Sequence, residues 1–243
     1  MRYASDPGSG RCVVWVRGAK LVVSLENLAR QLTGDDGDAE RVEWFTDQVI
    51  GAAGPAALTA DGLYWYLESN DYQERADYRA AVSPRLDRVL VHADPDAALI
   101  RWITPRILSE LGLSADEASA RAWFNLDTAL RRAPQVTTGP VDGVTLLSFA
   151  MGQPSNASLL LAPSLRDAVS GLVGWPVLAV IPERDLVYLW NAGHRELAHR
   201  LGKMVVRMQA SAPYPLSTEL FEISDSIRAI GSYRPGDSAA DEH

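Results

Sequence analysis

The sequence predicts an α+β fold, with a helix-rich N-terminal part and a mixed, mainly antiparallel sheet with covering helices in the C-terminal part. Three observations carry this prediction. Helical periodicity and capping signals dominate residues 1–134. Short β-rich runs dominate residues 135–233. Two pairs of those runs are joined by connections of two or three residues, which only antiparallel neighbours can use.

In chain order, Val13–Val16 and Leu21–Val23 are β-rich and flank a glycine-bearing turn at Arg17–Lys20, which predicts an opening hairpin. Ser24 is placed to cap a helix running to about Leu32, with Leu25, Leu28, Ala29 and Leu32 on one face. Residues 34–38 read as a loop, and a second amphipathic helix follows, carrying Val42, Phe45, Val49 and Ile50 up to Gly51–Pro55. Thr59–Ser69 has the composition of a strand without enough alternation to decide it. Tyr72–Val82 reads as a short helix stopped by Pro84, Leu86–His92 as a strand, and Asp94–Pro95–Asp96 as a turn. Ala98–Ile103 is open between strand and helical turn. Thr104–Pro105 opens a helix that Gly112 closes. Ser114 and Glu117 form a capping box for a helix with Ala118, Ala122, Leu126 and Leu130 on one face. Strands are expected at Val144–Ala150, Ser158–Ala162, Val177–Ile181 and Leu186–Trp190, with helices at Pro163–Val173 and Arg195–Arg207. Glu219–Ser224 and Ile227–Ile230 read as a closing hairpin, and residues 234–243 as a polar, disordered tail. The stretch Pro134–Pro140 is the best boundary between an N-terminal part (1–134) and a C-terminal part (135–233), one domain overall being the alternative.

The chain has 243 residues, with 31 acidic against 23 basic side chains and a net charge of -8. A chain of this length buries about 70% of its unfolded surface and needs no disulfide or metal staple. Its single cysteine, Cys12, forms no intrachain bridge, which fits a reducing cytosol. The polar, Gly/Pro-rich start lacks the apolar core of a secretory signal, and no run of about 18 apolar residues predicts a membrane span. The expected location is cytoplasmic. The acidic balance argues against nucleic acid as a partner.

Several segments together resemble the YtpQ-like family of bacterial proteins, a domain of unknown function. They are Leu21–Leu28, Ile103–Thr104 through Leu111–Ser114, and the helix carrying Ala122, Asn125 and Leu126. Ala157–Leu161, Ala179–Asp185 with its Pro-x-Arg-Asp connection, and Pro215–Ser217 with Leu220–Phe221 complete the set in the family's order. The resemblance implies a cytosolic α+β bacterial protein, and it transfers no catalytic residue. Gly34–Gly62 and the polar tail depart from it.

Local motifs are tested by geometry. His194 and His199 flank Glu196 like a zinc-protease signature with one residue too many. At about 100° per residue, histidines five apart diverge by about 140° and cannot share one zinc from a regular helix. Asp35, Asp36, Asp38 and Glu40 lack EF-hand spacing, and a solvated loop with Asp38 capping the next helix explains them. No nucleophile elbow, phosphate loop or dinucleotide fingerprint occurs. No metal and no cofactor is expected.

Two places remain as candidate ligand-binding residues. Arg184–Asp185 sits between two apolar strands, where an arginine fork could clamp a carboxylate or phosphate, or both residues could serve as turn residues. Asn125, a poor helix former in mid-helix, bonds either across the core or to a ligand. Seven tryptophans are divided between core packing and interaction surface. The expected function is a non-catalytic binding or adaptor protein acting through contacts with another protein. The alternative is an enzyme or small-ligand binder with a pocket between the C-terminal sheet and the N-terminal helices, using Arg184 and Asn125.

Overall fold

The computed structural model describes residues 2–6, 11–16, 19–24, 28–29, 32, 34–52, 58–71, 76–93, 100–137, 140–151 and 154–234. Among them the architecture is α+β, with three antiparallel sheets. The first holds β1 (Arg2–Asp6), β2 (Arg11–Val16) and β3 (Ala19–Ser24), with Val16 opposite Ala19 as the predicted hairpin requires. Of the helix expected over 24–32, Ser24 ends β3, Leu28 and Ala29 are helical, and the rest lies largely outside the described residues. Helix α1 (Asp38–Ala52) follows a loop in which the Arg41 guanidinium bridges Asp35 at 2.8 Å and Asp38 at 2.7 Å. The acidic cluster is therefore cross-linked by a cation of its own.

The second sheet is built on β6 (Leu86–Ala93). Its partner along one edge is β4 (Leu63–Ser69), from Leu63 opposite His92 to Ser69 opposite Leu86. The other edge is shared by β5 (Arg79–Ala81) and β7 (Ile100–Trp102). The strand-like composition of Thr59–Ser69 thus yields β4, and the undecided Ala98–Ile103 yields β7. The helix expected over Tyr72–Val82 is a correction: residues 72–75 lie outside the described set, and Arg79–Ala81 is a strand. The cause is tertiary. β6 offers a free ladder edge, and backbone pairing along it overrides the strong helical preference of Arg79, Ala80 and Ala81. The turn expected at Asp94–Asp96 lies outside the described residues.

Helix α2 (Pro105–Leu111) begins at Thr104, whose hydroxyl accepts from the Ile107 amide, and ends at Gly112 with φ 65°. A left-handed residue there is cheap only for glycine. Helix α3 (Ala115–Arg132) has the predicted capping box, Ser114 and Glu117 each accepting from the other's backbone. Its predicted face, Ala118, Ala122, Leu126 and Leu130, is wholly buried.

The third sheet runs β13-β12-β10-β11-β9-β8, from β8 (Gln135–Thr137), β9 (Leu147–Phe149), β10 (Val177–Glu183), β11 (Leu186–Asn191), β12 (Glu219–Ile223) and β13 (Ile227–Ser232). Helix α4 (Leu165–Val173) and helix α5 (Arg195–Ser211) complete the set. The strand expected over Ser158–Ala162 is instead a 3-10 helix, Asn156–Leu161. The Ser158 hydroxyl explains it, sitting 2.7 Å from that of Ser155 and accepting from the Leu67 amide at 3.1 Å. Buried hydroxyls that bond backbone and each other favour a tight turn over a ladder. Residues 235–243, expected to be a disordered tail, lie outside the described set.

One apolar cluster joins the second and third sheets. It takes Leu63, Trp65 and Leu67 from β4, Ala118, Ala122 and Leu126 from α3, Val177, Ala179 and Ile181 from β10, and Phe221 from β12. The alternate β10 residues Leu178 and Val180 point the other way, to Trp190 and the α5 residues Leu197, Leu201 and Val205. The continuous apolar run of β10 reflects burial on both faces.

Candidate functional site

Arg184 and Asp185 form the turn between β10 and β11. From there Arg184 crosses to the second sheet, its Nη2 lying 2.6 and 2.9 Å from the two carboxylate oxygens of Glu68. Glu68 is 2% exposed, so the contact is made inside the protein. The guanidinium also sits 4.9 Å from the Tyr214 ring centroid. The turn's backbone is equally occupied: the Arg184 carbonyl accepts from Ala157, the Arg184 amide donates to Tyr214, and the Asp185 carbonyl accepts from Asn156 at 2.8 Å. Desolvation pushes the Asp185 carboxyl above its ordinary value against the pull of Arg184, and it does the same at Glu183 with help from the Asp185 charge. Beside Glu68 on β4, the Tyr66 hydroxyl accepts from the Ser155 amide, and burial holds that phenol strongly protonated.

Asn125 is placed elsewhere. Its amide nitrogen lies 2.9 Å from the Ala60 carbonyl, 3.2 Å from that of Asp61 and 2.9 Å from that of Leu63. It satisfies the end of the 3-10 turn Ala60–Gly62 as that turn enters β4. Asn125 thus holds residue 63 and Arg184 holds residue 68. Five strand steps separate those anchor points by about 17 Å. The sequence-selected residues therefore do not converge: they are joints at opposite ends of one strand. A ligand at Arg184 would have to displace a buried carboxylate.

The tryptophans divide. Trp190 and Trp65 are buried, while Trp44 is 48% exposed. Arg88 lies 5.5 Å from the Trp65 ring and 5.4 Å from that of Trp123, and the two rings are 5.8 Å apart, so one cation touches a pair of neighbouring indoles.

A groove of about 900 Å³ opens between α5 and the β12–β13 end of the third sheet. Two rows of α5 face it, each stepping by four residues along one helix ridge. One row is small or apolar: Ala198, Gly202, Val206 and Ala210. The other is basic: Arg195, His199, Lys203 and Arg207. The floor and far wall come from Leu178, Leu220 and Ile230. Tyr233 closes one end: its ring lies against Gly202, where a Cβ would come within 2.8 Å of Cδ1. Its hydroxyl donates to the Ala198 carbonyl at 2.8 Å, and burial pushes its pKa up to about 12. Arg195 is neutralised by Glu222 at 2.6 Å, and Arg200, also on the lining, pairs with Asp142 at 2.5 Å. Lys203 and Arg207 are exposed and make no ion pair with the described residues.

The sequence did contain a signal for this groove in the four-residue spacing of Arg195, His199, Lys203 and Arg207. The overall acidic charge of the chain hides it. His194 precedes α5 and meets Glu196 at 3.3 Å, whereas His199 faces the groove. Among the described residues no three metal-ligating side chains converge. No helix among them is long and apolar enough to cross a membrane.

Comparison with protein-family models, with curated proteins and with solved structures finds no match.

Proposed function

We propose that this chain is a non-catalytic binding protein that engages another protein through the groove between α5 and β13. The observation that supports this reading is the shape and lining of that groove. It follows α5 from Arg195 to Ala210, about 22 Å at 1.5 Å per residue. It sets an apolar row beside a basic one along its whole length. A trough of that form matches an extended or helical protein segment, whose side chains repeat along an axis. The residues first considered for a small-ligand pocket, Arg184 and Asn125, are instead bonded within the fold. Membership of the YtpQ-like family and a cytoplasmic location belong to the same proposal.

The test is site-specific photo-crosslinking in cells of the source organism. A benzophenone side chain at Ala210, an exposed groove position, is compared with one at Glu110 on α2. The expected result is a discrete protein adduct from position 210 and none from position 110. Equal, diffuse labelling from both positions would overturn the proposal.

A further inference from the structure

We infer that the segment received by the groove is acidic and amphipathic, with apolar side chains against Val206, Ala210 and Ile230 and carboxylates against Lys203 and Arg207. This inference rests on the protein-binding reading above and names the chemistry of the partner.

Charge segregation is the first argument. The chain carries 31 acids against 23 bases, yet five of the residues lining the groove are Arg or Lys and none is Asp or Glu. A surface with scattered charges would place acids there in proportion. Two of the five are held by carboxylates just outside the lining, Glu222 and Asp142, and the uncompensated Lys203 and Arg207 are complementary to an anionic partner, which they steer into register.

The second argument is which of those cations have their charge uncompensated. Glu222 sits between Arg195 and Arg228, at 2.6 and 2.7 Å, and Asp142 takes Arg200. The Arg195 end is also where Tyr233 covers the helix, with its ring on Gly202. Beyond Tyr233 along α5, Lys203 and Arg207 have no ion-pair partner among the described residues. They border Val206 and Ala210 of the small row, which line the same groove as Ile230, itself 37% exposed. Small apolar side chains and open positive charge therefore lie side by side on this half of α5.

The third argument separates a protein segment from a nucleic acid. Duplex DNA carries one charge per about 1.7 Å, and a protein of net charge -8 repels such a polyanion outside the groove. Phosphates also leave Val206, Ala210 and Ile230 without a matching apolar surface. A peptide with a few carboxylates on one side and aliphatic side chains on the other uses both features.

The experiment uses the full chain and fluorescence anisotropy with three labelled probes. One is a synthetic 16-residue peptide with leucines at four-residue spacing and glutamates between them. The second has the same composition scrambled so that the leucines share no face. The third is a 16-nucleotide oligothymidine. The first probe is expected to bind at least tenfold more tightly than either of the others. Lys203→Glu/Arg207→Glu should weaken it at least tenfold, and Lys203→Gln/Arg207→Gln by a smaller factor. Ile230→Asp should weaken it as well, while Arg106→Glu on α2 leaves it unchanged. Tighter binding of the oligothymidine would overturn the inference in favour of a phosphate polyanion. Equal affinity for the two peptides, or indifference to both Lys203/Arg207 double variants, would also overturn it. An adduct from Ala210 that survives Lys203→Glu/Arg207→Glu overturns the acidic partner and leaves the protein-binding reading standing; no adduct overturns that reading itself.

Discussion

The Arg184 guanidinium and the Glu68 carboxylate meet at 2.6 Å across the join between the second and third sheets, with their side chains 15% and 2% exposed. Neither residue belongs to the other's sheet, so the pair fixes where the β10–β11 turn lies against β4. Removing one partner of a buried pair strands the other charge, whereas replacing both with apolar side chains costs far less.

Arg184→Ala is therefore expected to destabilise the fold by about 3–5 kcal/mol. Glu68→Leu/Arg184→Met should recover most of that loss. Urea unfolding of the single and double variants measures both effects. A single variant with an unchanged midpoint would show that the pair contributes nothing to stability.

Asn125→Ala removes the donor shared by the carbonyls of residues 60, 61 and 63. The expected loss is about 1–3 kcal/mol, the range for leaving buried polar groups unsatisfied. Limited proteolysis should show faster cleavage near residues 58–62, because the 3-10 turn loses its anchor to α3. Cleavage at the wild-type rate would contradict this.

Asp127 gives a pH-dependent prediction. Partial burial alone would raise its pKa, but donation from Ser164, whose amide is 2.8 Å away, and from Arg131 outweighs that and lowers it. A carboxylate with a lowered folded-state pKa stabilises the fold above its ordinary value of 3.8, and the effect is lost as pH falls through the folded value. Asp127→Asn should therefore cost about 1.5–3 kcal/mol at pH 7, the range for hydrogen bonds to charged groups. Its thermal midpoint should converge with that of the wild type below about pH 4. A constant gap from pH 7 to pH 3 would exclude the charge as the cause.

Gly202 and Tyr233 should show a reversal of sign. Alanine is favoured over glycine inside a helix by about 1 kcal/mol. At Gly202, however, the new methyl would lie 2.8 Å from the tyrosine ring. Gly202→Ala is expected to destabilise the wild type and to stabilise a Tyr233→Ala background. A double-mutant cycle by thermal unfolding reads the coupling. Additive effects would show that the ring yields freely.

What the sequence made legible follows the range of its signals. The capping box at Ser114–Glu117, the Gly112 stop and the apolar row of α3 are local, and the fold realises each of them. The class itself, α+β with antiparallel pairing, follows from the short connections at Arg184–Asp185 and Asp225–Ser226. The missed elements depend on distant partners. β5 exists because β6 needs a neighbour, and the Asn156–Leu161 turn exists because Ser158 bonds the Leu67 amide. Of the site, Arg184 and Asn125 were visible as unusual polar residues, but not the Glu68 carboxylate or the β4 carbonyls that hold them. The groove was visible only as a spacing, since its far wall comes from a strand about thirty residues later.

Both polar joints terminate on β4, one at residue 63 and one at residue 68, and the same seven residues supply Leu63, Trp65 and Leu67 to the common core. β12 is tied in a similar way, by Glu222 to Arg195 of α5 and by Glu219 to Ser83 in the β5–β6 turn of the second sheet. Opening either sheet alone would break one joint and expose the core face shared with the other. The amides of β4, β6 and β10 are therefore expected to exchange with solvent at one common, slowest rate, through a single unfolding event, while those of α5 and β13 exchange earlier. The protein would thus keep a rigid keel in β4 and its neighbours while the α5–β13 edge opens and closes independently of it.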